Sequence, residues 1–148
     1  MAKSAGVGVG TAYRHFPTQE ALVEAVYRTE VAQLCEAATD LLRDNPPDAA
    51  LEMWMHRFVD YLATKRGMSD ALRVVVASGS DVVAETRRQI VATLASLLEA
   101  GAAAGTVRSD VDAEDVLAAM AAIWLIRDDP EKAERILTVI LDGLRHRG

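Results

Sequence analysis

Apolar side chains recur along the chain at steps of three and four, the spacing that gathers them on one face of an α-helix. The first stripe is Val23, Tyr27, Val31, Leu34, Ala38 and Leu41. Thr18 stands ahead of it as an N-cap, and Glu20 and Glu24 fall in the first turns, where the helix dipole favours anions; a helix over about 18–44 is predicted. Asn45-Pro46-Pro47-Asp48 reads as a sharp stop and restart, with Asn45 as the next N-cap, Pro46 at N1 and Asp48 at N3. Leu51, Trp54, Met55, Phe58, Val59 and Leu62 share one face of the second helix, which runs to about Arg66 and stops at Gly67. Ser69 then caps a short helix through Ala77. Its run of Leu72, Val74, Val75 and Val76 suits a strand by propensity, but no second strand exists to pair with it, so helix remains the expectation.

Ser80-Asp81 opens a long helix with Val83, Ile90, Leu94, Leu97 and Leu98 inward. It ends in Gly101-Ala-Ala-Ala-Gly105, where Gly105 suits a left-handed cap. Asp112 caps the next helix, with Asp115 three residues on and Val116, Leu117, Met120, Ile123 and Trp124 as its apolar residues. Asp129-Pro130 starts the last one, with Ile136, Leu137, Ile140 and Leu144 inward and Gly143 as a weak point. Residues 116–126 carry no charge, and Leu137, Val139, Ile140 and Leu141 wrap much of the final helix. A helix that is apolar nearly all round must be covered all round. A second copy of the same pair does this, as a four-helix bundle across a two-fold axis; the centre of a monomeric bundle would do it too. The expected homodimer interface comprises Val116, Leu117, Met120, Ile123, Trp124, Ile136, Leu137, Ile140 and Leu144.

Composition agrees with an all-α chain and removes several alternatives. Of 148 residues, 51% are hydrophobic and 5% aromatic, a balance that favours helices over sheets. The charge-free run 116–126 is far short of the roughly 18 apolar residues a membrane span needs. No basic-then-apolar signal segment opens the sequence. Cys35 is the only cysteine, which excludes an intrachain disulfide and a cysteine-based zinc site. A soluble cytoplasmic protein is expected. The net charge of −6 argues against nucleic acid until it is divided: residues 1–19 hold Lys3 and Arg14 and no acid, so the rest carries −8.

That cationic end has a pattern of its own. Residues 2–22 read as the end of one helix, a tight turn at Gly6, which can take positive φ, and a short helix from Val9 to about His15. Val7 can plug the angle between the helices, and Phe16 can close the short helix onto the next beside Leu22. This is a helix-turn-helix, with the short helix in the recognition position.

The segment resembles the DNA-binding signature of the TetR/AcrR family of one-component regulators. Ala2, Ala5, Gly6, Val7, Gly10, Thr11, Tyr13, His15, Phe16, Glu20 and Leu22 match its pattern. The downstream plan is similar to that family as well: a connecting helix, an effector-binding body and two C-terminal dimerisation helices. The resemblance implies a partial DNA-binding domain over 1–20 and an effector-binding and dimerisation domain over 21–148. It implies phosphate contacts from Thr11, Tyr13 and His15, which position without reading sequence. Val9, Gly10 and Arg14 lie where side chains face the groove, and only Arg14 can grip a guanine with two hydrogen bonds. Arg14 can equally touch a phosphate or stay solvated, and Lys3 can touch a phosphate or solvent. Gln19 stands where the family usually has Lys, removing one cation from the salt-dependent contacts. The family also places one helix and most of a second ahead of the residue numbered Met1. On that basis the chain is expected to be N-terminally truncated, with residues 1–17 poorly ordered and DNA binding weak.

For the body, the resemblance implies a small-molecule effector whose binding shifts the connecting helix. Candidate pocket residues are Met53, Trp54, His56, Phe58, Tyr61, Met68, Arg73, Arg87, Ile90, Leu94 and Trp124, a mix suited to an apolar or aromatic ligand. Each of them can also simply fill core or sit at the surface. Catalysis has little support: no phosphate loop follows a strand, and His15, His56 and His146 lack metal-ligand spacing. Cys35, between Leu34 and Glu36, reads as a packing residue. No cofactor and no metal are expected. The leading expectation is a TetR-like regulator, usually a repressor, of double-stranded operator DNA. The rival is a ligand-binding and dimerisation module that does not bind DNA, acting through mixed dimers or arising as a truncation artefact.

Overall fold

The stripe from Val23 to Ala38 turns inward as the spacing requires. Val23, Tyr27, Val31, Leu34 and Ala38 are all buried along the first helix, α1 (Gln19–Asp44). The computed structural model describes residues 18–126 and 128–146. Thr18 caps α1, its hydroxyl oxygen accepting from the Ala21 N–H at 3.0 Å. The following elements are α2 (Pro47–Gly67), α3 (Ser69–Ala77), α4 (Val82–Ala103), α5 (Ala113–Ala121), a 3₁₀ turn (Ala122–Ile126) and α6 (Pro130–Leu144). The class is all-α, and the one β-bridge among the described residues pairs Val107 with Arg145. None of the described helices is long and apolar enough to cross a membrane.

Several local expectations need correction. Asn45 does not start α2 but closes α1: its backbone N–H and its side-chain amide both donate to the Leu41 carbonyl, at 2.9 and 3.1 Å. Pro46 therefore takes the N-cap and Pro47 the first helical position, where a missing N–H costs nothing. Ser69 is the first residue of α3 rather than its cap, which is Met68. Ser80 does serve the start of α4, its oxygen accepting from the Val82 N–H at 3.1 Å. Val82 and Thr86 are the buried residues there, while Val83 is only partly covered. Thr86 satisfies its hydroxyl on the Val82 carbonyl at 2.7 Å. Asp112 and Asp129 cap α5 and α6 as expected, accepting from Glu114 N–H at 2.8 Å and Lys132 N–H at 3.0 Å.

The inward face of α6 is rotated from the expected one. Ala133, Leu137, Leu141 and Leu144 are buried, whereas Ile136 and Ile140 are only partly covered. The β-branched run of α3 is helical, with Leu72 and Val75 inward.

Helices α2, α3 and α4 all pack on α1, and α2 also meets α4. The α5–3₁₀–α6 segment joins this body through α4 and α2. Gly105, at φ +77°, makes the left-handed exit from α4. The chain then turns so that Val107 lies against Gly101. The two bonds of the Val107–Arg145 bridge fasten the end of α6 there: Arg108 N–H to the Leu144 carbonyl at 2.9 Å, and His146 N–H to the Thr106 carbonyl at 3.0 Å.

Candidate functional site

Aromatic residues are scarce in this chain, yet four of them meet between α1 and α2. Spacing along α2 puts Trp54, Phe58 and Tyr61 on one face, and Tyr27 faces them from α1. Trp54 and Phe58 stack with ring centroids 5.8 Å apart, Phe58 and Tyr61 lie 5.8 Å apart and tilted, and Tyr61 and Tyr27 are separated by 6.3 Å. The polar tips are served inside the core. The Trp54 indole N–H donates to the Leu34 carbonyl at 2.9 Å, and the Tyr61 hydroxyl donates to the Tyr27 hydroxyl at 2.8 Å. Burial, reinforced by the hydrogen bond with Tyr27, pushes the Tyr61 phenol well above its ordinary pKa, so it remains neutral.

The same stretch of α1 is tied to the start of α4. The Ser80 hydroxyl donates to Glu24, and Arg28 reaches Glu85 at 2.8 Å and Glu24 at 3.7 Å. Tyr27 lies between these tied positions in sequence, so the first half of α1 is held through the tyrosine pair and through the polar ties.

The candidate pocket residues separate into groups. Trp54, Phe58, Tyr61, Ile90 and Leu94 are buried and belong to one core. Met68 packs partly against it. Met53 is exposed on α2. Arg73 is exposed and pairs with Asp70 at 3.8 Å, and Arg87 is exposed and pairs with Glu114 at 3.4 Å. His56 stands partly open with Nδ1 3.5 Å from Glu134 of α6. Trp124 borders a cavity of about 160 Å³ with Val59, Leu62, Arg66 and Ala133. The eleven residues thus do not converge on one cavity. The space beside the aromatic cluster is a groove of about 220 Å³ between α1 and α2, lined by Glu30, Gln33, Leu34, Arg57, Asp60, Tyr61 and Thr64. Sequence reasoning named Tyr61 but not its partner: Tyr27 was visible as a stripe residue, and no spacing within one chain reveals a contact between two helices.

Cys35 is half-buried, and burial raises its thiol pKa, against a smaller lowering by Thr93. Among the described residues no three His, Cys, Asp or Glu side chains gather as a metal site.

Of the expected interface residues, Val116, Leu117, Met120, Ile123, Leu137 and Leu144 are buried within the chain itself. Trp124, Ile136 and Ile140 are partly covered. The most open apolar side chains nearby are Leu125, 84% exposed, and Val139, 69% exposed. Neither was among the expected interface residues; the signal for Val139 was its place one turn from Ile136 on an over-apolar helix. The expected DNA contacts Lys3, Val9, Gly10, Thr11, Tyr13, Arg14 and His15 lie outside the described residues.

Two family profiles match the chain. One, described as bacterial regulatory proteins, tetR family, matches residues 1–26. The other, described as the C-terminal domain of SbtR-like transcriptional regulators, matches residues 46–146. Among curated proteins, none matches the chain. Among solved structures, the TetR transcriptional regulator SCO0520 from Streptomyces coelicolor is 51% identical, over 99% of this chain and 86% of that one, with a TM-score of 0.92. A TetR transcription regulatory protein from Mycobacterium vanbaalenii is 39% identical, over 97% and 80% of the two chains, with a TM-score of 0.76. Reduced NemR of E. coli shares the fold at 18% identity, over 99% and 86%, with a TM-score of 0.73.

Proposed function

Because the chain belongs to the TetR family of bacterial transcriptional regulators, we propose that it acts as a homodimeric repressor whose helical body answers to a small molecule. The observation that carries this reading is the course of α1. It starts at Gln19, inside the segment matching the DNA-binding profile, and continues for 26 residues into the body, where α2, α3 and α4 all pack on it. One rigid element therefore belongs to both functional parts, and a displacement at one end reaches the other. The proposed division is a DNA-binding segment over about 1–20 and a body over 21–148.

In this reading Thr11, Tyr13 and His15 hold phosphates, and Val9, Gly10 and Arg14 face the bases, with Arg14 the reader of guanine. Lys3 adds a phosphate contact. The partner chain is a second copy, meeting this one through the outward apolar side of α5, the 3₁₀ turn and α6. Leu125, Val139, Ile136 and Ile140 supply the uncovered area, and the buried residues behind them shape it. The effector enters among Trp54, Phe58, Tyr61, Ile90 and Leu94 by loosening a core that is closed in this structure. The test is a mobility-shift assay on the DNA upstream of the protein's own coding region. Salt-sensitive binding to one site, reduced in Arg14→Ala, is expected; binding indifferent to sequence and to Arg14 would overturn the reading.

A further inference from the structure

We propose that the cleft between α2 and the turn leading into α6 binds a small aromatic carboxylate, with its ring on Trp124 and its acid group on Arg66. None of Tyr27, Trp54, Phe58 and Tyr61 is on the wall of this cleft. It is therefore a separate site, beyond the core through which the effector of the preceding reading enters.

The cleft follows from how the chain folds locally. After Ala121 the backbone tightens from α5 into the 3₁₀ turn that carries Ile123 and Trp124, and this turn packs on α2. Helix α6 then returns with Ala133, a small residue, turned inward. A space of about 160 Å³ lies between Val59 and Leu62 of α2, Ile123 and Trp124 of the turn, and Ala133. Eight of its ten wall residues are apolar, the usual make-up of a small-molecule site with a few polar groups to orient the ligand. The volume is below the range of about 300–1,000 Å³ usual for drug-sized ligands, so the ligand is small. Trp124 is only partly covered, and part of its indole surface stays open to an aromatic ring.

Charge gives the ligand its polarity and its direction. The two charged residues of the wall are Asp60 and Arg66. They are six positions apart on α2, a rise of about 9 Å, so they stand well apart along the cleft. Of the two half-buried arginines among the described residues, Arg108 is held by Asp110 at 2.7 Å, whereas Arg66 forms no ion pair with a described residue. Asp129, beside the wall residue Pro130, is engaged as the cap of α6. A planar guanidinium matches a carboxylate through two parallel hydrogen bonds, and Asp60 repels the same group at its own position. The acid therefore points to Arg66. Trp124 is followed by Leu125, so the ligand bears on the same turn that presents the proposed partner face.

The experiment titrates the full chain with phenylacetate, phenylacetamide and phenethylamine and follows the indole N–H signals of its two tryptophans by NMR. Trp124→Phe identifies which signal is which. Phenylacetate should move the Trp124 signal, leave the Trp54 signal in place, and bind at least tenfold more tightly than the amide or the amine. Arg66→Gln should remove the advantage over the amide. Ala63→Phe, at an exposed position on the wall, should fill the cleft and weaken phenylacetate binding at least tenfold. No binding of phenylacetate, equal binding of acid and amide by the wild type, an advantage that survives in Arg66→Gln, or undiminished binding by Ala63→Phe overturns the proposal. Movement of the Trp54 signal alone also overturns it, by placing the ligand in the aromatic core, and leaves the sensor reading standing. Binding is read here on the chain alone, so failure of this proposal is separate from failure of the regulator reading, which the DNA assay decides.

Discussion

Val107 occupies the space that a side chain on Gly101 would need: a Cβ added at Gly101 would lie 2.8 Å from the Val107 Cβ, closer than real Cβ atoms come. Gly101 is a late residue of α4, where alanine would otherwise be the better helix former by about 1 kcal/mol. Packing reverses that preference. Gly101→Ala is expected to destabilise the fold by roughly 1–3 kcal/mol, the usual cost of overpacking. Urea unfolding would measure it, and Val107→Ala in the same chain should recover part of the loss. A Gly101→Ala chain as stable as the parent would contradict the close approach.

Leu125→Asp and Val139→Asp put a carboxylate on the open apolar side of the α5–α6 segment. Both positions are solvent-facing within one chain, so folding should survive. A charge that must be buried against a partner is strongly opposed. Sedimentation should therefore move from twice 16.0 kDa toward 16.0 kDa in both variants. A dimer that tolerates both substitutions would place the interface elsewhere.

Asp110 supplies a pH prediction. Two hydrogen bonds from the Arg108 guanidinium, at 2.7 and 2.8 Å, with the cation's charge, lower its carboxyl from 3.8 to about 2. The folded pKa lies below the unfolded one. The contribution of the pair is therefore complete above about pH 4 and is lost as pH falls through about 2. The pair is exposed, so the effect on overall stability is small. The direct reading is the Asp110 carboxyl carbon followed by NMR. Its midpoint should lie near 2, and should return toward 3.8 in Arg108→Gln. A wild-type midpoint near the ordinary value would show that the pair does not form.

Cys35 should react slowly. Burial disfavours its thiolate, and the thiolate is the nucleophile. Alkylation by iodoacetamide at mild alkaline pH should be much slower in the native protein than in urea. Equal rates would mean that the α1 face bearing Cys35 opens freely.

The helices were legible because their stripes are regular: the five buried residues of α1 are the first five of its sequence stripe. Caps were legible where one side chain had one role, as at Thr18, Asp112 and Asp129. They failed at Asn45, where two adjacent helix ends compete for the same side chain and the Leu41 carbonyl wins it. The rotation of α6 was not legible, because Ile136 and Leu137 are equally apolar, and hydropathy cannot choose which of them faces the home core. The candidate site was half legible. Trp54, Phe58 and Tyr61 stand on one helix at helical spacing, whereas Tyr27 lies 34 residues from Tyr61 and meets it only through the packing of α1 on α2. Val107 against Gly101 was hidden for the same reason: glycine at that position looks like a helix terminator until the returning loop is in place.

The clasp at residues 106–108 and 144–146 has a further consequence for how such proteins diversify. The segment between these points has its two ends together, fastened by the two backbone bonds of the Val107–Arg145 bridge, and packs on α4 and α2 between them. It is therefore a cassette with adjacent ends, the geometry in which a stretch of chain is exchanged with least disturbance to its host. Replacing this stretch leaves α1 and the aromatic cluster outside the exchanged residues.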